Sequence, residues 1–330
     1  MAETPTSTRA ADIVFERVTK RYGPDGSPAV DELSLAIPAG EICVLVGPSG
    51  GGKTTAMKMV NRLIEITDGD ISIDGRSVRQ ADVTELRRGI GYVIQHVGLF
   101  PHLNVGDNVG AVPRLRGWDR KRIRARTDEL LDLIGLAPDR YRSRYPAELS
   151  GGERQRVGLA RAMAIDPPLM LMDEPFGALD PITRNRLQDE FLRLHRELRK
   201  TVIFVTHDID EAIRMGHRIA ILREGGVLAQ YGKPDEILGR PADEYVARFV
   251  GADRGLKRLA LSPLSELELE AVNGSGADGL PSAPRTTSLR DALSLMLTAG
   301  SRAIVVTDAD EKPVGRASVE QVFAAVEGGT

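Results

Sequence analysis

Residues 47–54 read Gly-Pro-Ser-Gly-Gly-Gly-Lys-Thr, a spacing that can hold a row of phosphates. Gly47, Gly50, Gly51 and Gly52 carry no Cβ, so the backbone can close on an anion and turn its N–H groups towards it. With Pro48 and Ser49 they form a loop between an apolar run, Glu41 to Val46, and a stretch of helical spacing from Thr54. A helix N-terminus at that point adds a favourable dipole. Lys53 supplies a point charge for the β- and γ-phosphates, and the Thr54 hydroxyl is a hard oxygen suited to Mg²⁺. Thr55 follows in the same turn and is counted among the phosphate contacts. A glycine-rich surface turn with a stray lysine would look similar in isolation. The flanking strand and helix weigh against it.

A second apolar run, Leu169 to Met172, delivers Asp173 and Glu174 at its tip. Asp173 suits the same Mg²⁺, because that ion keeps several waters and takes hard oxygen ligands. Glu174, one residue further on, is placed to polarise an attacking water. Two ordinary loop carboxylates are the bland alternative. Against it stands Leu149-Ser150-Gly151-Gly152-Glu153-Arg154-Gln155, with Ser150 standing 23 residues before Asp173. Small residues leading into a helix form a second anion-binding terminus, about a hundred residues from the first.

Two such termini and an acidic strand tip on one chain resemble the ABC ATPase family, whose signature is LSGG(Q/E). Other landmarks of that family follow in register. Tyr22, in KRYG, resembles the aromatic residue that stacks on adenine. Gln95, in GYVIQHVGLFP, resembles the glutamine that reaches the nucleotide's metal and links the site to the membrane partner. Ala178-Leu179-Asp180 resembles the loop at the dimer seam, and His207, in FVTHD, the switch histidine that contacts the γ-phosphate. The resemblance covers residues 12 to about 250. It implies an ATP-hydrolysing enzyme with Glu174, His207 and Lys53 in the chemistry. Tyr22, residues 47–55, Gln95, Ser150, Gly151, Gly152, Glu153 and Asp180 would bind nucleotide, and Thr54, Gln95 and Asp173 would bind Mg²⁺. In the family two subunits pair head to tail, so a homodimer with ATP between its chains is expected.

Three stretches are similar to the ATPases of quaternary-amine importers: MKMVNRLIEITDGDISIDG, RRGIGYVIQHVGLFPHLNVGDNV and MDEPFGALDPITRNRLQDEFLRLHRELRKTVIFVTHDIDEAI. That implies uptake of glycine betaine, choline, carnitine or proline betaine through separate permease subunits. An extracytoplasmic solute-binding protein would take part indirectly. An importer of another small solute, such as a polyamine, amino acid or oxyanion, is the runner-up. Soluble ABC ATPases that act on DNA or ribosomes are the other class, and they usually carry two cassettes or long coiled-coil insertions.

The elements that must position these groups alternate strand and helix, which predicts an α/β sheet. Strands are expected at Ile13–Val18, Leu33–Ile37, Glu41–Val46, Leu169–Met172 and Val202–Val205, with a hairpin, Arg218–Leu222 and Val227–Tyr231, turned by Gly225-Gly226. A long amphipathic helix is expected at 182–199 and a helical subdomain at 112–165. The ATPase domain is expected at 12–250 and a linker at 251–287, on the Gly/Pro/Ser-rich stretch 273–287. Residues 288–330 then form a small α+β tail. It resembles a single CBS-type motif, with Gln321 where that family carries a ribose-binding aspartate. Regulation or a dimer contact is therefore expected of it, rather than nucleotide binding.

Composition sets limits on the rest. Of 330 residues, 44 are basic and 47 acidic, giving a formal charge of -3 and no basic surplus for nucleic acid. The basic segment 114–126 carries a lone aromatic, Trp118, and reads as a solvated helical face. Cys43 is the single cysteine and lies in an apolar run, so it reads as a small buried hydrophobe. The polar start lacks a signal-peptide core, and no run of about 18 apolar residues occurs. A peripheral place on the cytoplasmic face of the cell membrane is expected.

Overall fold

The computed structural model describes residues 9–23, 26–95, 98–177, 179–271 and 279–327. The expectations that fall on 1–8, Ala178 and 273–278 lie outside those residues. In chain order β1 (Ile13–Lys20), β2 (Val30–Ile37) and β3 (Ile42–Val46) lead to α1 (Lys53–Val60). Next come β4 (Asp68–Ile73), β5 (Arg76–Ser77), α2 (Val83–Gly89) and β6 (Ile90–Val93). A helical stretch follows: α3 (Val105–Val109), α4 (Ala111–Leu115), α5 (Arg120–Leu133), α6 (Pro138–Tyr141) and α7 (Gly151–Met163). Then β7 (Leu169–Asp173), α8 (Pro181–Leu198), β8 (Thr201–Thr206), α9 (Ile209–Met215), β9 (Arg218–Leu222) and β10 (Leu228–Gly232) complete the first compact unit, which runs to Tyr231.

That unit holds two sheets where the sequence reading expected one. β2-β1-β4-β5 is an antiparallel sheet of four strands. The second has six strands in the order β10-β9-β3-β8-β7-β6, and β9, β3, β8, β7 and β6 run parallel. Strands β4, β5 and β6 were not expected. In β4, Asp-Gly-Asp precedes the alternating residues; Asp68 is exposed, Ile71 is buried and the rest are half-buried, so no apolar run marks it.

Period-two alternation explains how the sheets are covered. Cys43 and Leu45 of β3, Leu171 of β7 and Val205 of β8 enter one core with Phe15 and Leu33 of the antiparallel sheet. Met57 and Val60 of α1 join them there. On the other face Phe204 of β8 stacks towards Phe176, with ring centroids 5.9 Å apart, and Phe176 meets Phe191 of α8 edge-on. Each large side chain fully withdrawn from water contributes about 1.5–3 kcal/mol. Cys43 is wholly buried as expected, and burial pushes its thiol up to about 12.

Register then decides what stands beside what. Val46 pairs with Thr206, Val205 with Asp173, and Met172 with Val93. The C-terminal ends of β3, β8, β7 and β6 therefore lie in one row, about 4.8 Å apart from strand to strand. In open parallel sheets this edge is where ligands bind.

The second compact unit runs from Gly232 to Thr330. It contains α10 (Pro234–Gly239), α11 (Glu244–Val250) and α12 (Arg254–Leu259), then β11 (Ser282–Pro284), α13 (Leu289–Thr298), β12 (Ala303–Thr307), β13 (Pro313–Ser318) and α14 (Val319–Glu327). β11 pairs parallel and β13 antiparallel with β12. This corrects the expected boundaries in two places. Residues 232–250 belong with the tail, and much of 251–287 is not linker. Leu259, Leu264 and Ala283 are buried in one core with Met296, Ile304 and Val322. Gly, Pro and Ser content reports local backbone freedom. It says nothing of where isolated leucines find cover.

Candidate functional site

The phosphate loop leaves β3 at Gly47, whose φ is 154°; a Cβ there would collide with the carbonyl oxygen of Leu222. Gly52, at φ 70°, begins α1 from the left-handed region, and a Cβ would strike the Ala29 carbonyl. No side chain caps α1. Its first N–H groups, which lack intrahelical partners, stay open to an anion. Pro48, Ser49 and Gly50 are exposed, while Gly51 folds back so that its N–H donates to the Pro48 carbonyl at 3.1 Å. Gly225, read from sequence as part of a turn, braces the loop: its N–H donates to the Gly50 carbonyl at 3.3 Å.

Lys53 is mostly buried, and its ammonium donates to the carbonyls of Gly47 and Pro48 at 2.8 and 2.7 Å. Burial lowers its pKa, against the pull of Glu174 and Asp173. A phosphate in the loop would give this charge a stronger partner than two carbonyls. Thr54 donates to Asp173 Oδ1 at 2.9 Å across the row of strands. Asp173 is 5% exposed, and burial raises its pKa against the Thr54 bond and the charges of Lys58 and Lys53. A buried carboxylate beside a hydroxyl, its burial outweighing the nearby lysines, fits a small hard cation. Thr55 is half-buried in the same turn.

Glu174 is the centre of the arrangement. Its φ is 44°, in the left-handed region, and its N–H donates to the Val205 carbonyl at 3.0 Å. This posture costs a non-glycine residue about 1–3 kcal/mol and aims its side chain along the strand ends. Gln95, beyond the end of β6, donates from Nε2 to Glu174 Oε2 at 2.9 Å. His207, beyond the end of β8, stands with Nδ1 3.2 Å from Glu174 Oε1. Three residues drawn from positions 95, 174 and 207 thus meet at one carboxylate. Sequence order identified all three but could not show that they touch.

The signature residues are organised differently. Ser150 caps α7, accepting from the Glu153 N–H at 3.3 Å, and the Glu153 carboxylate accepts from the Ser150 N–H at 2.7 Å. Tyr141, unnoticed in the sequence, donates its hydroxyl to the other oxygen of Glu153 at 2.7 Å. That bond, with the Ser150 N–H, holds the Glu153 carboxyl down at about 2. Both Glu153 oxygens are thus engaged within the chain, one by the Ser150 N–H and the other by the Tyr141 hydroxyl, an engagement that its expected place at a nucleotide did not include. Gly151 is exposed and Gly152 half-buried beside it. Asp180 likewise caps α8, accepting from Thr183 N–H at 3.0 Å, a role its expected place at a nucleotide did not include. Tyr22 is 61% exposed, with the Lys20 ammonium 5.1 Å from its ring centre, so its face is open to stacking.

A family profile described as ABC transporter matches residues 30–177. Over 308 residues the chain is 47% identical to the osmoprotectant import ATP-binding protein OsmV of Salmonella typhimurium, covering 92% of this chain and 78% of that one. It is 45% identical to the glycine betaine uptake system ATP-binding protein YehX of Escherichia coli, over 92% of this chain and 96% of the other. It is 53% identical to the glycine betaine/carnitine/choline transport ATP-binding protein OpuCA of Bacillus subtilis over 73% of this chain, though it spans only 62% of that relative's length. Among solved structures, the dimeric post-hydrolysis state of the ATP-binding cassette MJ0796, bound to ADP and Pi, superposes with a TM-score of 0.60. That pair is 34% identical, covering 67% of this chain and 98% of the other.

Proposed function

The chain belongs to the ABC transporter family as one of its ATP-hydrolysing, ATP-binding proteins, and from that premise we propose that it powers import of a quaternary-amine osmoprotectant through a separate membrane permease. The observation that carries the ATPase chemistry is the meeting of Gln95 and His207 on Glu174, next to the Thr54–Asp173 pair and the phosphate loop.

In this reading Lys53 leaves the Gly47 and Pro48 carbonyls for the β- and γ-phosphates, and the open N-terminus of α1 receives them. Thr54, Asp173 and the carbonyl oxygen of Gln95 would hold Mg²⁺, which when bound would neutralise charge on the phosphates. Glu174 takes a proton from the attacking water as its oxygen bonds to the γ-phosphorus, and the bond to the leaving ADP oxygen breaks. The products are ADP and phosphate. His207 passes from Glu174 to the γ-phosphate, and Tyr22 stacks on the base, a contact worth about 1–3 kcal/mol that tolerates any base. Ser150, Gly151 and Gly152 reach the nucleotide of a second copy, so the working state is a head-to-tail homodimer.

Among the described residues no helix is long and apolar enough to cross a membrane, which fits the need for a separate permease. The names of OsmV, YehX and OpuCA support the solute class, and in this reading the chain lies peripherally at the cytoplasmic face of the membrane, beneath its permease. An extracytoplasmic binding protein would deliver the solute. In the C-terminal unit Gln321 is engaged locally: Oε1 accepts from Ser318 N–H at 2.8 Å and Nε2 donates to the Glu268 carbonyl at 2.7 Å. This supports regulation rather than ribose binding for the CBS-like tail.

The test is uptake of labelled glycine betaine, choline, carnitine and proline betaine by cells carrying the chain with its permease, at low and raised osmolarity. Uptake of a quaternary amine that vanishes with Lys53→Ala supports both parts. Failure to take up any of them, with ATP hydrolysis intact, moves the solute to another small-molecule class.

A further inference from the structure

Tyr141 ends α6, yet its hydroxyl serves another helix: it donates to Glu153 Oε1 of α7 at 2.7 Å. Glu153 Oε2 accepts from the Ser150 N–H at 2.7 Å, and Ser150 Oγ accepts from the Glu153 N–H at 3.3 Å. Hydrogen bonds thus run unbroken from the Tyr141 hydroxyl, through one carboxylate, to the residue that begins the signature.

The donor end of this chain of bonds is held still. Arg142, the next residue, pairs with Asp128 of α5 at 2.5 Å. The carbonyls of Arg142 and Arg144 accept from the N–H groups of Gly106 and Val105 of α3 at 2.9 and 2.8 Å. The guanidinium groups of Arg140 and Arg144 stand 5.6 and 4.9 Å from the Tyr141 ring centre. The receiving end has less support, since Ser150 and Gly151 are exposed and a glutamate has much rotamer freedom to lose. Starting a helix needs only the serine and its reciprocal glutamate. The added hydroxyl does something further: it takes one oxygen of Glu153 and leaves the other turned to Ser150.

We propose that Tyr141 is a positioning residue for ATP hydrolysis in trans: through Glu153 it sets the posture of Ser150 and Gly151, and so the rate at the phosphate loop of the other copy. The proposal rests on the head-to-tail dimer of the reading above. Tyr141 itself touches no reacting atom, so its effect should fall on kcat and spare the affinity of a single chain for ATP.

Tyr141→Phe keeps the ring and removes only the hydroxyl. In the complex with the permease it should lower kcat about fivefold, and the Kd of the isolated chain for ATP should stay within about twofold. In a Glu153→Ala background the same change should cost less than about 1.5-fold, because the carboxylate it acts through is gone. The deciding measurement uses transporters that hold two differently tagged copies, purified on both tags, with Glu174→Gln silencing the site of one copy. With Tyr141→Phe on the silenced copy, the working phosphate loop faces the altered signature, and hydrolysis should fall about fivefold. With Tyr141→Phe on the active copy, the working loop faces an intact signature, and hydrolysis should stay within about 1.5-fold of the pair that keeps both tyrosines. A merely structural role would weaken the copy that carries the change, giving the reverse pattern or equal losses. Either result, parental rates in both arrangements, or an undiminished loss in the Glu153→Ala background overturns the proposal. Ser150→Ala is measured in the same two arrangements. If it separates them and Tyr141→Phe does not, the proposal falls and the head-to-tail reading stands; if neither separates them, both fall.

Discussion

Glu174→Gln separates a chemical role from a merely geometric one. The substitution keeps the shape of the side chain, so the left-handed backbone at φ 44° and its bond to the Val205 carbonyl need not change. What it removes is the capacity to accept a proton. It also weakens the contacts with Gln95 and His207, which lie 2.9 and 3.2 Å away. Those hydrogen bonds are worth about 1 kcal/mol each in net terms, so their loss alone slows hydrolysis by about fivefold to thirtyfold. Loss of a general base costs about 10²–10⁴-fold, or roughly 2.7–5.4 kcal/mol in the barrier. The two effects differ enough to be told apart. Single-turnover hydrolysis with Mg²⁺ and excess protein is the assay, with ATP binding measured separately. We expect at least a hundredfold loss of rate, ATP affinity within about threefold, and an ATP-dependent dimer that persists on gel filtration. A loss of about thirtyfold or less would make Glu174 a positioning group, and a parental rate would remove it from the reaction.

Two predictions concern the frame around the site. Tyr141→Phe removes the largest cause of the depressed Glu153 pKa. Because that carboxylate is largely solvated, the full shift overstates its worth, and about 1 kcal/mol of stability is expected to go at pH 7. A depressed acid stabilises the fold above its ordinary pKa of 4.5 and ceases to do so as pH falls towards 2. The gap between parent and variant urea midpoints should therefore narrow below pH 4.5; an undiminished gap there would refute the assignment. His195 and His217, with ring centres 5.3 Å apart, are both pushed down, first by burial. The unfolded chain then binds protons that the fold resists, so stability should drop as pH falls through 6.5, and His217→Gln should flatten that slope. Equal slopes in parent and variant would show that the pair does not titrate on unfolding.

Much of this site was legible because its parts are local. The phosphate loop, the strand tip at Asp173 and the histidine after β8 each declare themselves within eight residues, since a strand, a turn and a charged group must follow one another there. What could not be read are pairings set by sheet order. Nothing in the sequence places β8 between β3 and β7, yet that order brings His207 to Glu174 and leaves Thr54 facing Asp173. Tyr141 escaped notice because its partner Glu153 is fixed by a helix start twelve residues on. Gln188 and Glu211 looked like ordinary polar residues of two amphipathic helices, and only their burial marks them. The boundary at Gly232 was missed for a related reason: composition shifts at 273, but the packed core already includes Leu259 and Leu264.

The two helix termini that the sequence presented as alike prove chemically unlike, and the difference bears on how the site works. The start of α1 has no side-chain cap, so its free N–H groups need an anion brought to them. The start of α7 meets part of its own demand, with Ser150 accepting from the Glu153 N–H, Glu153 accepting from the Ser150 N–H and Tyr141 holding the carboxylate in place. Nucleotide should therefore bind first at the phosphate loop of a single chain, where the unmet demand is. The signature can then join only as a second contact, through the exposed Gly151 and whatever Ser150 can offer while still capping its helix. A site built in that order gives one chain most of the affinity and leaves the second copy to act on the rate. Variants at the phosphate loop should consequently raise the Kd for ATP of the isolated chain, whereas Ser150→Ala should leave that Kd within about twofold and lower kcat, since losing the cap costs about 1 kcal/mol of helix stability and no direct phosphate contact within the chain. A Kd raised tenfold by Ser150→Ala would reverse that order.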